Sequence, residues 1–163
     1  DNYLELVKER AYGNTADGRA RGTAEASASA QAALQVALDV YMRLLAPVLV
    51  FACEEIWSWW HTDSVHTQPW PTTAELAAAA EGSDPRMLHV VGRALAGLRK
   101  AKSEAKVKMR TEVGGATVIA TDSDLDLLHA AANDLAAAGK VTGTLNWEQG
   151  SELAVRDVDL LTT

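Results

Sequence analysis

Apolar residues recur at helical spacing over much of the first 105 residues. The longest such pattern covers 24–45, where apolar side chains return every three or four positions and form one stripe. The same period predicts shorter helices at 2–12, 47–60 and 85–105. The pattern therefore predicts helices that pack side by side through their stripes. The stripe residues are Leu4, Val7 and Ala11, then Leu34, Ala37, Leu38, Tyr41 and Leu45, then Leu49, Ala52, Cys53, Ile56 and Trp60, and finally Leu88, Val91, Leu95 and Leu98.

Turn and capping residues mark the ends of these helices. Residues 13–23 form a glycine-rich polar loop. Pro47 predicts a helix boundary just before it, because proline clashes inside a helix but fits its first turn. Thr72 followed by Glu75 indicates a capping box for a short helix. Asp84 is predicted to be the N-cap of the helix that follows, with proline at its first position.

After residue 110 the pattern changes from helical to strand-like. Segment 116–122 is rich in β-branched residues and predicts a strand. Segment 123–138 predicts one helix, closed by Gly139. Segments 140–148 and 152–160 alternate like strands and are joined by a short glycine-containing turn. The order of elements is therefore β-α-β-β.

The second of these alternations slips by one step between Val155 and Val158, which indicates a β-bulge. The β-α-β-β unit is small for an independent core, so we expect it to pack against the helices. The predicted fold class is mainly α. An antiparallel helical bundle over 1–110 is followed by a small α/β appendage over 111–163.

Four of the five tryptophans lie within residues 54–71. On a helix, Trp57 and Trp60 are about 60° apart and are predicted to enter the core. Trp59 lies nearly opposite Trp57, and it could pack under the following loop, pack against another helix, or stack on a nucleic-acid base. Trp70 stands between two prolines and is predicted to fold back over the end of the helix.

Composition and charge narrow the class of protein. The 163 residues suit one domain, and Cys53, the only cysteine, cannot form an internal disulfide and fits a reducing compartment. No apolar run approaches the roughly 20 residues that a membrane span needs. The formal net charge is −7, yet residues 93–110 carry seven cationic side chains against Glu104, which gives +6 there and −13 elsewhere. This asymmetry favours one face for a polyanion, although a solvated helix face fits the charge alone equally well.

No pattern typical of a catalytic or metal site stands out. His61 and His66 are five residues apart across a loop, which is not a metal spacing on one helix face. Glu54 and Glu55 are adjacent, so they point about 100° apart and cannot act as a facing carboxylate pair. No serine or cysteine has a convincing base partner, and no phosphate-binding glycine loop is present. The residues predict a non-catalytic module without a metal.

Four segments resemble a known family. They are DNYLELVKERAY, LLAPVLVFACEEIWSWW, SVHTQPWP and KSEAKVKMRTEV, in that order. They resemble the C-terminal anticodon-binding domain of class I aminoacyl-tRNA synthetases specific for branched aliphatic amino acids, closest to valyl-tRNA synthetases, with isoleucyl-tRNA synthetases second. The chain departs from the family where Val50 replaces a usual proline and Cys53 a frequent threonine. The family's earlier bundle helices, its catalytic domain and its ATP-binding signatures have no counterpart here, which indicates an excised piece.

The resemblance implies a role in protein biosynthesis. The parent enzyme would join valine, or alternatively isoleucine, to its tRNA with ATP and magnesium in the cytoplasm. This piece would bind no cofactor and would recognise the tRNA, with the catalytic domain of the same polypeptide as its other partner and no contact with membrane or DNA. A structural or protein-interaction helical bundle that binds no RNA is the other class left open, and the net acidity favours it.

The resemblance also gives candidate residues. Basic side chains are expected to bind phosphates, while unstacked bases are read at the end of the bundle. The lysines among them are expected to be exposed and to matter little for folding. An exposed apolar strip is expected along the faces of helices 2–12 and 24–45. The candidates for tRNA binding are Arg99, Lys100, Lys102, Lys106, Lys108 and Arg110, with Arg10, Arg19 and Arg21 as weaker ones.

Overall fold

The computed structural model describes residues 2–13 and 23–161. The helices are α1 (Asn2–Tyr12), α2 (Ala24–Leu45), α3 (Val50–Trp57), α4 (Thr73–Ala79), α5 (Met87–Glu104), α6 (Asp122–Ala130) and α7 (Ala132–Gly139). The strands are β1 (Glu112–Ala120), β2 (Val141–Gln149) and β3 (Ala154–Leu161), and a 3-10 turn covers Val65–Thr67. The expectation of a mainly α protein with a small α/β part is confirmed. The predicted loop over 13–23 lies largely outside the described residues.

The chain forms two compact units. Unit 1 combines Asp1–Ser27 with Asp84–Thr163, and unit 2 is Ala28–Ser83. In unit 1, α1 packs on α7, and α5 packs on α6, α7 and β3. The expected packing of the C-terminal α/β part on helices is therefore confirmed. The division at residue 110 stays a prediction about domain organisation. The contacts in the structure group α1 and α5 with the three strands.

The sheet of unit 1 has the strand order β2-β1-β3. β2 runs parallel to the central strand β1, and β3 runs antiparallel to it. Thr117 pairs with Arg156 while Gly115 pairs with Asp159, so β3 carries one residue more than β1 over this stretch. Asp157 has a φ of 50°, as expected for a bulged residue. The bulge predicted from the slipped alternation is confirmed.

The predicted helix over 123–138 is two helices in the structure. The chain turns at Ala131, where φ is −110° and ψ is 15°, so α6 and α7 have separate axes. The residue that ends α7 in the left-handed conformation is Lys140, with a φ of 57°, whereas the sequence predicted Gly139 for this role. Glycine at 139 has a packing reason, because a Cβ there would lie 2.6 Å from the Leu98 side chain.

Helix α5 supplies much of the core of unit 1. Val91, Leu95 and Leu98 are almost completely buried, as predicted, whereas Leu88 is exposed and the prediction was wrong there. The helix begins two residues later than expected. The carboxylate of Asp84 accepts the backbone N–H of Arg86 at 2.8 Å, which stabilises a separate turn before the helix.

Unit 2 has its own apolar cluster, formed by Met42, Ala46, Cys53, Trp57 and Val65, with Ile56 packed against it. The predicted burial of Trp57 is confirmed. Trp60 is 36 % exposed and is not part of the core, because α3 already ends at Trp57. The boundary expected before Pro47 is confirmed, since α2 ends at Leu45.

Polar contacts tie α4 to α2 within unit 2. The hydroxyl of Thr72 accepts the backbone N–H of Glu75, so the predicted cap of α4 is confirmed. The guanidinium of Arg43 lies 2.7 Å from a carboxylate oxygen of Asp39 and also binds the carboxylate of Glu75. Because the two carboxylates belong to different helices, Arg43 bridges them.

Candidate nucleic-acid interface

The cation-rich residues 93–110, here called the basic segment, begin on α5 and continue through a sharp turn. The N–H of Val107 donates to the carbonyl of Lys102 at 3.1 Å, and the N–H of Lys106 donates to that of Ser103 at 3.0 Å. These are the two hydrogen bonds of a Schellman motif, in which the residue after the cap takes the left-handed conformation. Lys106 occupies that position with a φ of 55°. The turn ends α5 and starts a short irregular segment with three more candidates.

Lys102 is the candidate that the structure corrects. Its side chain is buried, with 2 % exposure, and its Nζ donates to the carbonyl of Met109 at 3.1 Å and to that of Gly139 at 2.8 Å. Burial lowers the pKa of Lys102, and the charges of Lys140 and Arg99 lower it further. The expectation that Lys102 is exposed and matters little for folding is therefore wrong, because its side chain ties the segment after α5 to the end of α7.

The sequence contains a signal for this burial. Lys102 continues the buried stripe of Val91, Leu95 and Leu98 at the next helical step of four residues. A charge count over 93–110 does not distinguish this inward position from the outward ones. The helical period therefore gives the better guide to which cations of α5 face solvent.

The remaining strong candidates reach the surface. Lys100, Lys106, Lys108 and Arg110 are exposed, and Arg99 is partly exposed. Arg99 donates to the carboxylate of Glu5 on α1 at 3.0 Å. Lys100 makes a long ion pair, in which its Nζ lies 3.8 Å from the carboxylate of Glu104 one helical turn away. Four exposed cations therefore lie within eleven residues at the end of α5 and just beyond it.

The weaker candidates have other surroundings. The guanidinium of Arg10 lies 3.1 Å from Asp134 on α7 and donates to the carbonyl of Ala26 at 3.4 Å. Burial raises the pKa of Asp134, and the neighbouring Arg10 acts in the opposite direction. Arg10 is thus engaged in packing α1 on α7. Arg19 and Arg21 lie outside the described residues.

Two further cations, Lys8 and Lys140, lie near Arg99 and Arg110, and sequence reasoning missed both. Lys140 follows α7, and its Nζ lies 3.0 Å from the carboxylate of Glu9. Lys8 on α1 lies 3.2 Å from that of Glu5. Neither stands in a basic run, so no local signal marks them. Their position depends on the packing of α1 against α7, which joins residues about 130 positions apart.

In unit 2, the tryptophan-rich segment is an anchored loop. One carboxylate oxygen of Glu54 accepts the Ser64 hydroxyl at 2.9 Å and the Val65 backbone N–H at 3.0 Å. The indole N–H of Trp57 donates to Asp63 at 3.2 Å. The ring of His61 stacks on that of Trp57, with centroids 3.8 Å apart. The buried side chain of Trp57 thus anchors the loop, whereas Ser58 and Trp59, which follow it, are exposed.

Two tryptophans remain at the surface of this unit. Trp59 is 69 % exposed, and its indole N–H donates to Glu55 at 3.3 Å. Trp70 is 60 % exposed, so the prediction that it covers the end of the helix is wrong. The adjacent carbonyl of Pro69 instead accepts a long hydrogen bond, at 3.5 Å, from Arg43. Both indoles present apolar surface that base stacking or protein packing could use.

Residues 2–13 and 23–161 contain no group of three or more His, Cys, Asp or Glu side chains placed to hold a metal ion. Over the same residues, no helix is both long and apolar enough to cross a membrane.

Comparison with known proteins identifies the family of the chain. Residues 1–119 match the family described as the anticodon-binding domain of tRNA ligase. The chain belongs to this family. A valine–tRNA ligase of Leifsonia xyli subsp. xyli is 45 % identical to this anticodon-binding domain over 161 residues, which cover 98 % of the domain chain and 17 % of the ligase.

Two other relatives give the same result. The valine–tRNA ligase of Thermobifida fusca is 48 % identical over 161 residues, and that of Cutibacterium acnes is 41 % identical over 160 residues. In both cases the match covers 98 % of this anticodon-binding domain and 17 % of the ligase. The chain therefore spans about one sixth of the length of these relatives.

Proposed function

We propose that this anticodon-binding domain recognises the tRNA for a valine–tRNA ligase. The proposal is supported by the relatives described above, each of which is a valine–tRNA ligase matched over 98 % of the chain. These relatives favour valine, rather than isoleucine, as the amino acid that the parent ligase would attach. The observation that carries the role in tRNA binding is the group of exposed cations at the end of α5, in a family defined by anticodon binding.

The chemistry of amino-acid activation would belong to the rest of a longer polypeptide. In this proposal the catalytic region uses ATP and magnesium, and this domain contributes tRNA recognition and no catalytic group. The buried free thiol of Cys53 fits a cytoplasmic location, where translation takes place. Exchange of pyrophosphate into ATP with valine, measured on the purified chain, is therefore expected at background. Exchange well above background would contradict this division of roles.

The exposed cations would bind the tRNA through its phosphates. Lys100, Lys106, Lys108 and Arg110 lie close together in the sequence and point to solvent. Phosphate contacts fix the position of a protein on nucleic acid but carry no sequence information. Discrimination among tRNAs would therefore come from bases read elsewhere on the domain, with Trp59 and Trp70 as exposed rings on which a base can stack.

Filter binding as a function of salt tests the proposal. The chain is expected to bind valine tRNA more tightly than isoleucine tRNA or an unrelated tRNA. Replacing Lys106 and Lys108 with glutamine should flatten the log–log dependence of affinity on salt by about 1.4, or roughly 0.7 for each lost phosphate contact. The matched control replaces two exposed arginines of the same unit, Arg86 and Arg156, with glutamine and should leave the slope unchanged.

The outcomes separate the two classes of function. A structural or protein-interaction bundle predicts weak binding that is equal for all tRNAs, and equal slopes for both double variants. Equal slopes combined with clear preference for valine tRNA would keep the function and reject this basic segment as the phosphate-binding surface.

A further inference from the structure

A small cleft in unit 1 collects cations from distant parts of the sequence. It has a volume of about 200 Å³ and lies where α1, the end of α5 and the residues after α7 meet. Its lining contains five cationic side chains and a single carboxylate, that of Glu5. The five cations are Lys8, Arg99, Lys102, Arg110 and Lys140.

The single carboxylate of the lining does not balance these charges. Glu5 is shared by Lys8 at 3.2 Å and Arg99 at 3.0 Å. The hydrogen bond from Lys8 lowers the pKa of Glu5, and Arg99 lowers it further. Lys140 pairs with Glu9 outside the lining. Within the described part of the chain, Arg110 makes no ion pair and no side-chain hydrogen bond. The cleft therefore has an excess of positive charge.

Lys102 is a buried cation that contributes to this excess. Two carbonyls accept two of its three ammonium N–H groups, and over the described residues no carboxylate pairs with it. Burying an ammonium without a counter-charge is unfavourable, and the nearby Lys140 and Arg99 make it more so. A bound anion would relieve this repulsion.

The backbone of Lys140 supports the same interpretation. Its φ of 57° is a conformation that glycine adopts at lower cost than a residue with a Cβ atom. A lysine at such a position adds a charge at the edge of the cleft that glycine cannot supply.

We propose that this cleft is a phosphate-binding site and that it takes one backbone phosphate of the tRNA. The inference rests on the proposed function and adds a specific site to it. Arg99 and Arg110 supply planar guanidinium groups that can each bind two phosphate oxygens. Lys140 and Lys102 add charge. The volume is below the roughly 300–1,000 Å³ of pockets that hold drug-sized molecules, which fits a phosphate group rather than a whole nucleotide.

The salt dependence of tRNA binding tests the site through Arg110. This side chain is exposed and unpaired within the described residues, so Arg110→Gln should leave folding unchanged. The variant should flatten the log–log salt slope by about 0.7–0.9, which is about a five- to eightfold weaker affinity at 0.1 M salt if the affinities coincide at 1 M. Arg110→Lys keeps the charge and should retain most of the slope. Arg156→Gln removes an equal charge from β3, outside the cleft, and should retain all of it.

A second measurement tests the cleft without tRNA. Sodium phosphate is titrated into the ¹⁵N-labelled chain against sodium chloride of equal ionic strength. The amide signals of Gly139 and Lys140 are expected to shift and saturate in the wild-type chain, and in the Arg156→Gln control, but not in Arg110→Gln.

The combined outcomes separate failure of the site from failure of the function. Selective tRNA binding with the same slope in wild type and Arg110→Gln overturns the site while the function stands. Equal flattening by Arg110→Gln and Arg156→Gln also overturns it, because the effect would then be one of net charge. If the wild-type chain binds no tRNA, the proposed function fails. The proposal that the bound phosphate comes from tRNA then fails as well. Saturating phosphate shifts would then support the cleft as a site for free phosphate, and their absence would overturn it.

Discussion

Individual residues show how closely polar contacts define the tryptophan-rich loop. Glu54 and Glu55 are neighbours in sequence, yet they have different surroundings. Glu54 is partly buried and accepts two hydrogen bonds, from the Ser64 hydroxyl and the Val65 N–H. Glu55 is exposed and accepts one, from the indole of Trp59. Only the first carboxylate joins α3 to the 3-10 turn that follows it.

This difference predicts unequal effects of two adjacent substitutions. Glu54→Ala should lower the free energy of unfolding by about 1–3 kcal/mol, because it leaves a partly buried hydroxyl and N–H without their acceptor. Glu55→Ala serves as the control and should change it by less than about 0.5 kcal/mol. Urea unfolding followed by tryptophan fluorescence measures both. Equal effects would show that the contacts of Glu54 do not hold the loop.

The buried Lys102 predicts an unusual dependence of stability on pH. Its pKa is lowered in the folded chain, so the unfolded chain binds this proton more tightly. The destabilising contribution is fully present below the folded-state pKa and disappears as the pH rises toward the unfolded value of about 10.4. The free energy of unfolding of the wild-type chain should therefore rise with pH relative to Lys102→Met. Urea unfolding of both proteins from pH 7 to 10 measures the difference, and a constant difference would contradict a lowered pKa.

Lys106 combines an unfavourable backbone conformation with a useful charge. Replacing it with glycine should raise the free energy of unfolding by about 1 kcal/mol, because the left-handed position at the end of α5 suits glycine. The same variant should bind tRNA more weakly through loss of one phosphate contact. Lys108→Gly removes an equal charge at a position without positive φ, so it should weaken binding but not add stability. Calorimetry and filter binding together check the pair, and a stability gain in both variants would reject the explanation.

At the level of elements, local patterns predicted most of the fold. The helical period placed α1 and α2 at the observed bounds, because a one-sided apolar stripe is a property of consecutive residues. The slipped alternation located the bulge of β3 for the same reason. The break at Ala131 could not be predicted, since most residues around it are alanines, which favour helix.

The candidate site was predictable in part. The excess of cations over 93–110 identified the end of α5, and the exposed side chains Lys100, Lys106, Lys108 and Arg110 agree with it. The helical period places Lys102 on the buried stripe, whereas the charge count marks it as a surface cation. The expectation followed the charge, and the structure follows the helical period. The contributions of Lys8 and Lys140 come from a contact between α1 and α7, and single-sequence patterns do not show contacts of such long range.

For the whole molecule, apolar surface is the property that most affects behaviour in solution. In unit 2, Phe51 is 88 % exposed and Val48 is 78 % exposed, and Tyr41 on α2 is largely exposed as well. In unit 1, Leu4 and Tyr12 of α1 are also exposed. The expected exposure of apolar residues along 2–12 and 24–45 is thus present. Large apolar patches are uncommon on soluble monomers, so the exposed apolar surface of unit 2 is suited to covering by other protein segments.

We expect the isolated chain to self-associate through this surface. Replacing Val48 and Phe51 with serine should lower the association constant at least tenfold and change the free energy of unfolding by less than about 0.5 kcal/mol, because exposed side chains contribute little to it. Analytical ultracentrifugation and urea unfolding measure the two effects. The control Leu76→Ser removes a less exposed leucine of α4 and should leave association unchanged. A wild-type chain that stays monomeric at millimolar concentration would contradict the expectation.

The interleaved order of the two units affects how the protein can be synthesised. A ribosome produces α1 before the other helices described here, but Glu9 meets Lys140 only 131 residues later. At ordinary rates of translation this delay is on the order of ten seconds. During that time unit 2 can fold as it emerges, while Leu6 and Val7 on the nascent α1 lack most of the surface that buries them. Of the two units, unit 1 therefore has its earliest helix made well before the contacts that bury it, and α1 is the segment on which we expect chaperones to act.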